Sequence, residues 1–132
     1  MSTAQTNCQF SEFPAESNNG LDVFPAFFNV SGRRIVVVGG GDEAAAKLRL
    51  LSETNAQLEV VAPSVSKSMV HAITLANAKH IAREFTFEDF ADAALVFTAQ
   101  ENEEADTLAV EAARMVGVPV NAVDRPYLCD FI

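Results

Sequence analysis

The chain has 132 residues, enough for one domain with a buried core. Its composition, 49% hydrophobic and 20% charged, is that of a globular protein and not of a disordered one. Eighteen acidic residues against nine basic ones give a formal charge of -9, which argues against a nucleic-acid or anionic-membrane surface but leaves room for one phosphate-rich ligand held by backbone N–H groups.

In chain order, residues 1–23 are polar and turn-rich, and a flexible extension is expected there, without the apolar core of a secretory signal. No stretch reaches transmembrane length. Phe24, Phe27 and Phe28 around Pro25 read as a lead-in that packs on the core before a turn at Ser31-Gly32. Arg34–Val38 is a short β-branched run without alternation, the pattern of a parallel strand covered on both faces. A helix is expected over Asp42–Glu53, a strand over Leu58–Ala62 stopped by Pro63, and a helix over Val65–Ala78. A weak strand at His80–Arg83 follows, then an acidic turn at Glu88–Ala91. Ala94–Ala99 is a fourth strand, Glu103–Val116 a helix closed by Gly117, and Pro119–Val123 a fifth strand that leaves through Asp124-Arg125-Pro126.

Repeated strand–helix alternation with long crossovers predicts a doubly wound α/β domain over residues 24–132, a Rossmann-like parallel sheet of order 3-2-1-4-5. The ligand crevice then lies outside the carboxyl ends of strands 1 and 4. At that place stands Gly39-x-Gly41-x-x-Ala44, the dinucleotide fingerprint with Ala in its third small position. Gly39 allows the tight turn, Gly41 lets pyrophosphate approach the backbone, and Ala44 allows close helix–strand contact. The helix that follows aims its N-terminal N–H groups at the phosphates. The acidic residue that normally ends the second strand and binds the adenosine ribose is absent: Ala62-Pro63-Ser64 stands there, and Glu59 lies too early. Backbone groups around Pro63 and Ser64 are left to hold the ribose, and NAD is favoured over NADP because Lys67 is the nearest cation.

The stretch from Phe24 to Gly41 resembles the start of the siroheme synthase dehydrogenase domain, the precorrin-2 dehydrogenase and sirohydrochlorin ferrochelatase family. Val60-Val-Ala-Pro63, Val118–Asp124 and Leu128-Cys-Asp-Phe-Ile132 carry the same resemblance. It implies oxidation of precorrin-2 to sirohydrochlorin with NAD as cofactor, followed in many members by insertion of ferrous iron. It also implies that Gly39, Gly40, Gly41, Asp42 and Glu43 lie at the NAD phosphates, Pro63 and Ser64 near the adenosine, and that Asp124 is the catalytic aspartate. Asp124 as general base takes a ring proton as hydride leaves to NAD; without the resemblance, Asp124 reads more readily as a turn-capping residue before Arg125-Pro126. Gln100 and Asp106 depart from the family, Asp106 placing a charge where a neutral amide is usual. The family continues past the equivalent of Ile132 into a dimerisation and helical region, so the chain reads as a fragment of a longer, homodimeric protein.

Cys8 and Cys129 form no C-x-x-C pair, so neither a disulfide framework nor a zinc site is expected, and a reducing cytoplasm is the natural compartment. His71 and His80 lack ligand-spaced partners, Cys129 reads as a small buried residue, and no resident metal is expected. The rival to an enzyme is a non-catalytic NAD-binding sensor or scaffold module. Sensors of potassium transport systems usually carry the acid after strand 2, and its absence argues against them.

Overall fold

The computed structural model describes residues 19–132. Of the expected N-terminal extension, residues 1–18 lie outside the described part, and residues 19–23 carry no helix or strand. Five parallel strands form one sheet: β1 (Arg34–Val38), β2 (Gln57–Val61), β3 (Lys79–Ile81), β4 (Leu95–Thr98) and β5 (Val120–Ala122), in the spatial order β3-β2-β1-β4-β5. This is the doubly wound order expected from the alternation. Ile35 to Val38 of the central β1 are all buried, which is why the run is uniformly apolar.

The helices α1 (Asp42–Leu51), α2 (Lys67–Ala76) and α3 (Glu103–Met115) divide between the two faces. Ala44, Ala45, Leu48 and Leu51 of α1, with Met69 and Ala72 of α2, pack against Ile35, Val37, Leu58, Val60, Leu95 and Phe97. On the other face, Val110 and Ala113 of α3 and Phe90 of the short 3₁₀ turn Phe87–Phe90 cover Val36, Val38, Val61, Val96 and Val120. Successive strand residues therefore feed opposite cores.

Element boundaries differ from the periodicity in ways that side chains explain. α2 starts after Ser66 and not at Val65, because the Ser66 hydroxyl accepts the Met69 N–H, and it stops at Asn77, which is left-handed (φ 51°). α1 stops at Leu51 and not at Glu53: the Ser52 hydroxyl donates to the Arg49 carbonyl and the Thr54 hydroxyl to that of Leu51. β3 is Lys79–Ile81, shorter and earlier than His80–Arg83, because Arg83 turns away to pair with Asp89 at 2.8 Å.

The phenylalanine lead-in is a correction. Phe24 and Phe27 are exposed, and Phe28 is half exposed, its ring centre 6.2 Å from that of Phe131. Both sheet faces are already covered by helices, and Phe131 at the other end of the chain takes the place beside Phe97, edge-on at 5.4 Å. Val30 is the lead-in residue that packs against the core.

Arg34 binds the Glu59 carboxylate through Nε (3.0 Å) and Nη2 (3.1 Å), and donates to the carbonyls of Asp89 (2.6 Å) and Ala91 (2.8 Å). Glu59 is thus a cross-strand partner within β2, not a ligand residue at its end.

Leu48 is completely buried between α1 and the sheet. Leu48→Ala is expected to cost about 3 kcal/mol, read as a lower urea midpoint at unchanged slope.

Candidate functional site

The carboxyl ends of β1, β2 and β4 converge on Gly39, Gly40 and Gly41, and two of these glycines are required by close backbone approach. Gly39 has φ +132°, and a Cβ there would overlap the Ala99 carbonyl oxygen that follows β4. A Cβ on Gly40 would overlap the Ser64 carbonyl oxygen that follows β2, and the Gly40 carbonyl accepts the Ser66 N–H at 2.8 Å. Ala44 is fully buried next to Gly39, as its place in the fingerprint demands. Above Gly41 lies the side chain of Glu101.

α1 begins at this turn with Gly41 as its N-cap and no side-chain cap, whereas Ser66 caps α2 and Asn102 caps α3. The first N–H groups of α1 thus face the cleft side of the turn without a side-chain acceptor, the arrangement that receives an anion. The cleft encloses about 690 Å³, within the usual range for a cofactor site. Gly39, Gly40 and Gly41 form its floor, Pro63 and Ser64 lie on one wall, and Gln100 and Glu101 on another. The backbone cradle and the uncapped helix fit a dinucleotide diphosphate, provided that the Glu101 carboxylate over Gly41 turns aside.

Asp42 and Glu43 do not line this cleft. The Asp42 carboxylate accepts the Ser66 hydroxyl at 3.1 Å, tying α1 to the start of α2. Glu43 faces a second, smaller cleft of about 360 Å³ with Glu101, Asp106, Val123, Asp124 and Arg125. Glu101 belongs to both clefts, so they meet at its side chain.

Asp124 follows β5 at the carboxyl edge of the sheet, exposed and left-handed (φ 65°). Glu101 is left-handed too (φ 61°), a conformation costing a non-glycine residue about 1 kcal/mol. The neighbouring Asp124 raises the exposed Glu43 carboxyl above its ordinary value, with slight desolvation and the charges of Asp124, Glu101 and Asp106 acting in the same direction.

Beneath them lies a network invisible to spacing. Asp106 on α3 is 1% exposed; its Oδ1 accepts the Thr98 hydroxyl (2.7 Å) and the Gln100 N–H (3.1 Å), and its Oδ2 accepts Arg125 Nε (3.0 Å). The charge that departs from the family's neutral amide is therefore paired. The Gln100 side chain turns inward, donating to Thr98 Oγ1 and to the Ala105 carbonyl. This network joins the end of β4, α3 and the exit of β5, and it holds the residue adjoining Asp124. Arg125, Glu84 and Phe85 are site-lining residues that sequence patterning did not single out.

Away from the site, His80 contacts the Ala62 carbonyl at 3.0 Å and His71 is exposed. Cys129 is buried, its Sγ bonded to Ala122, with burial pushing the thiol up. Among the described residues no cluster of three or more His, Cys, Asp or Glu is arranged to hold a metal ion, and no helix is long and apolar enough to cross a membrane.

A family model described as "Putative NAD(P)-binding" matches residues 26–132, a span that contains the glycine turn, both clefts and all five strands. The chain belongs to this NAD(P)-binding family. Curated relatives include the siroheme synthase of Stutzerimonas stutzeri (strain A1501), 37% identical over 112 residues, and that of Nitrosomonas europaea, 37% identical over 113 residues. Each match covers 85% of this chain and 24% of the relative, so the chain spans about a quarter of their length. Among solved structures, one titled "SirC, precorrin-2 dehydrogenase" superposes with a TM-score of 0.60 at 20% identity, covering 76% of this chain and 49% of the other, a likeness of fold.

The raised Glu43 carboxyl sets a pH signature. The folded state holds more protons than the unfolded one between the ordinary glutamate value, about 4.3, and the raised value, so this group's contribution to stability falls as pH rises through that window. The melting temperature of Glu43→Gln is expected to gain on the wild type between pH 4 and pH 7. A constant difference across that range would show that Glu43 and Asp124 are not coupled.

Proposed function

We propose that this chain is the NAD-dependent precorrin-2 dehydrogenase portion of a siroheme synthase, a cytoplasmic enzyme that yields sirohydrochlorin. The observation that carries the reading is the adjacency of the two clefts: a glycine-floored cradle with an uncapped helix above it, and beside it, across Glu101, an acidic cleft containing Asp124. The relatives named siroheme synthase support the choice of substrate.

In this reading Gly39, Gly40 and Gly41 hold the diphosphate by backbone N–H groups, and Pro63 and Ser64 border the adenosine. Bound NAD supplies the hydride acceptor. Dehydrogenation removes one hydride and one proton from the tetrapyrrole, and the Asp124 carboxylate takes the proton. Glu43, its carboxyl raised beside Asp124, takes up a proton more readily than an ordinary glutamate and so limits the like charge next to the base. Asp42 acts through structure, fastening α1 to Ser66 so that the first turn keeps its aim. The Asp106–Arg125 pair keeps the β5 exit in register with β4, so Asp124 stays beside Glu43. Ferrous iron, as a substrate inserted into sirohydrochlorin, and a homodimer of the longer protein are the further expectations of the same reading.

The test is turnover of precorrin-2 with NAD, followed by absorbance. Asp124→Asn is expected to lower kcat by roughly 10²- to 10⁴-fold with the Kd for NAD within about threefold of wild type. A fully active Asp124→Asn, or a wild type that binds NAD without turning over precorrin-2, would overturn the assignment; the latter would favour a sensor or scaffold.

A further inference from the structure

The ribose end of the cleft lacks the acid that usually terminates β2. Ala62, Pro63 and Ser64 stand there, and the one carboxylate of β2, Glu59, is consumed by Arg34. We propose that Glu84, from the loop after β3, supplies that function: its carboxylate accepts the 2′- and 3′-hydroxyls of the adenosine ribose and selects NAD over NADP. The inference rests on the larger cleft being the dinucleotide site.

Topology brings the residue there. β3 pairs with β2 in parallel, Val61 beside Ile81, so the segment leaving β3 emerges next to the segment leaving β2. Glu84 and Phe85 consequently line the same cleft as Ala62, Pro63 and Ser64. A carboxylate delivered from β3 thus reaches the edge that a β2-terminal acid serves in the common pattern.

The loop that carries it is braced. Arg83 makes two 2.8 Å bonds to the Asp89 carboxylate. Asp89 also accepts the Thr86 N–H at 2.8 Å, while the Thr86 carbonyl accepts the Asp89 N–H, a closed cap at the start of Phe87–Phe90. Phe85 stacks on the fully buried Phe90 with ring centres 5.5 Å apart. Arg34 fastens the far side of this turn through the Asp89 and Ala91 carbonyls. Glu84 sits between these anchors, yet its carboxylate has no hydrogen-bond or ion-pair partner among the described residues; its carbonyl alone is engaged, by Arg83. Its backbone is held and its carboxylate is free to accept from a ligand.

Charge completes the case. No Lys or Arg lines the cleft, and the neighbouring Arg83 guanidinium is committed to Asp89. A diol meets an acceptor at Glu84, whereas a 2′-phosphate meets a like charge without a counter-ion. Two hydroxyls donating to one carboxylate are charge-assisted bonds, stronger than their neutral equivalents.

Dissociation constants for NAD and NADP on wild type, Glu84→Gln and Glu84→Lys, at one fixed salt concentration, test this. Glu84 is exposed and unpartnered, so the variants retain the fold, checked by melting temperature. Wild type is expected to prefer NAD, Glu84→Gln to lose roughly tenfold of that preference, and Glu84→Lys to lose more by gaining NADP affinity. A wild type that binds NAD while the Glu84 variants keep the same NAD-to-NADP ratio would overturn the role of Glu84 and leave the cleft's assignment standing. A wild type that binds neither nucleotide would overturn the dinucleotide reading and this inference with it.

Discussion

Three chain segments can meet at the carboxyl edge of this sheet only where no side chain stands between them. The Ala99 carbonyl occupies the space that a Cβ on Gly39 would need, and the Ser64 carbonyl does the same at Gly40. The glycines thus do more than form a turn. They let the loops after β2 and β4 close in on the loop after β1, and that closure makes the floor and walls of the larger cleft. Buried Ala44 and the uncapped start of α1 depend on the same approach. A side chain at either glycine would part the loops as well as block a ligand.

A second constraint is electrostatic. Asp106 is buried, and a buried carboxylate is tolerated only when bonded and paired. Thr98, Gln100 and Arg125 satisfy it from three directions, and each lies on an element that reaches the cleft edge. Asp106 therefore links the Gln100 wall of the larger cleft to Arg125, the residue beside Asp124. Next to this paired charge stand Glu43 and Asp124, neither of which has a cationic partner among the described residues. The paired acid holds the shape of the edge, while the exposed carboxylates beside it face the smaller cleft.

Much of the fold was legible because its signals are local and redundant. The β-branched run Ile35–Val38, the glycine fingerprint and the helical spacing of Ala45, Leu48 and Leu51 all point to one topology, and the parallel order β3-β2-β1-β4-β5 follows from it. The lead-in phenylalanines misled because apolar character says that a residue is able to be buried, not that a vacancy exists; Phe131 had filled it. The glycine floor and the position of Asp124 at the sheet edge were readable from pattern and resemblance. The orientation of Asp42 and Glu43 was not, since Asp42 is taken up by Ser66 while its neighbour Glu43 faces the smaller cleft. Glu84 was equally hidden, because its approach to the end of β2 is a product of strand order. Arg125 finding Asp106, 19 positions earlier, is likewise a consequence of the fold alone.

The central claim is that the cradle at Gly39–Gly41 is where NAD binds. An NAD titration of ¹⁵N-labelled protein followed by amide chemical shifts tests it most directly. The account predicts saturable shifts concentrated at Gly39–Glu43, Ala62–Ser66 and Ala99–Asn102, with Leu21–Phe28 unaffected. Saturable shifts confined to Leu21–Phe28 and Cys129–Ile132, or none anywhere at millimolar NAD, would contradict it.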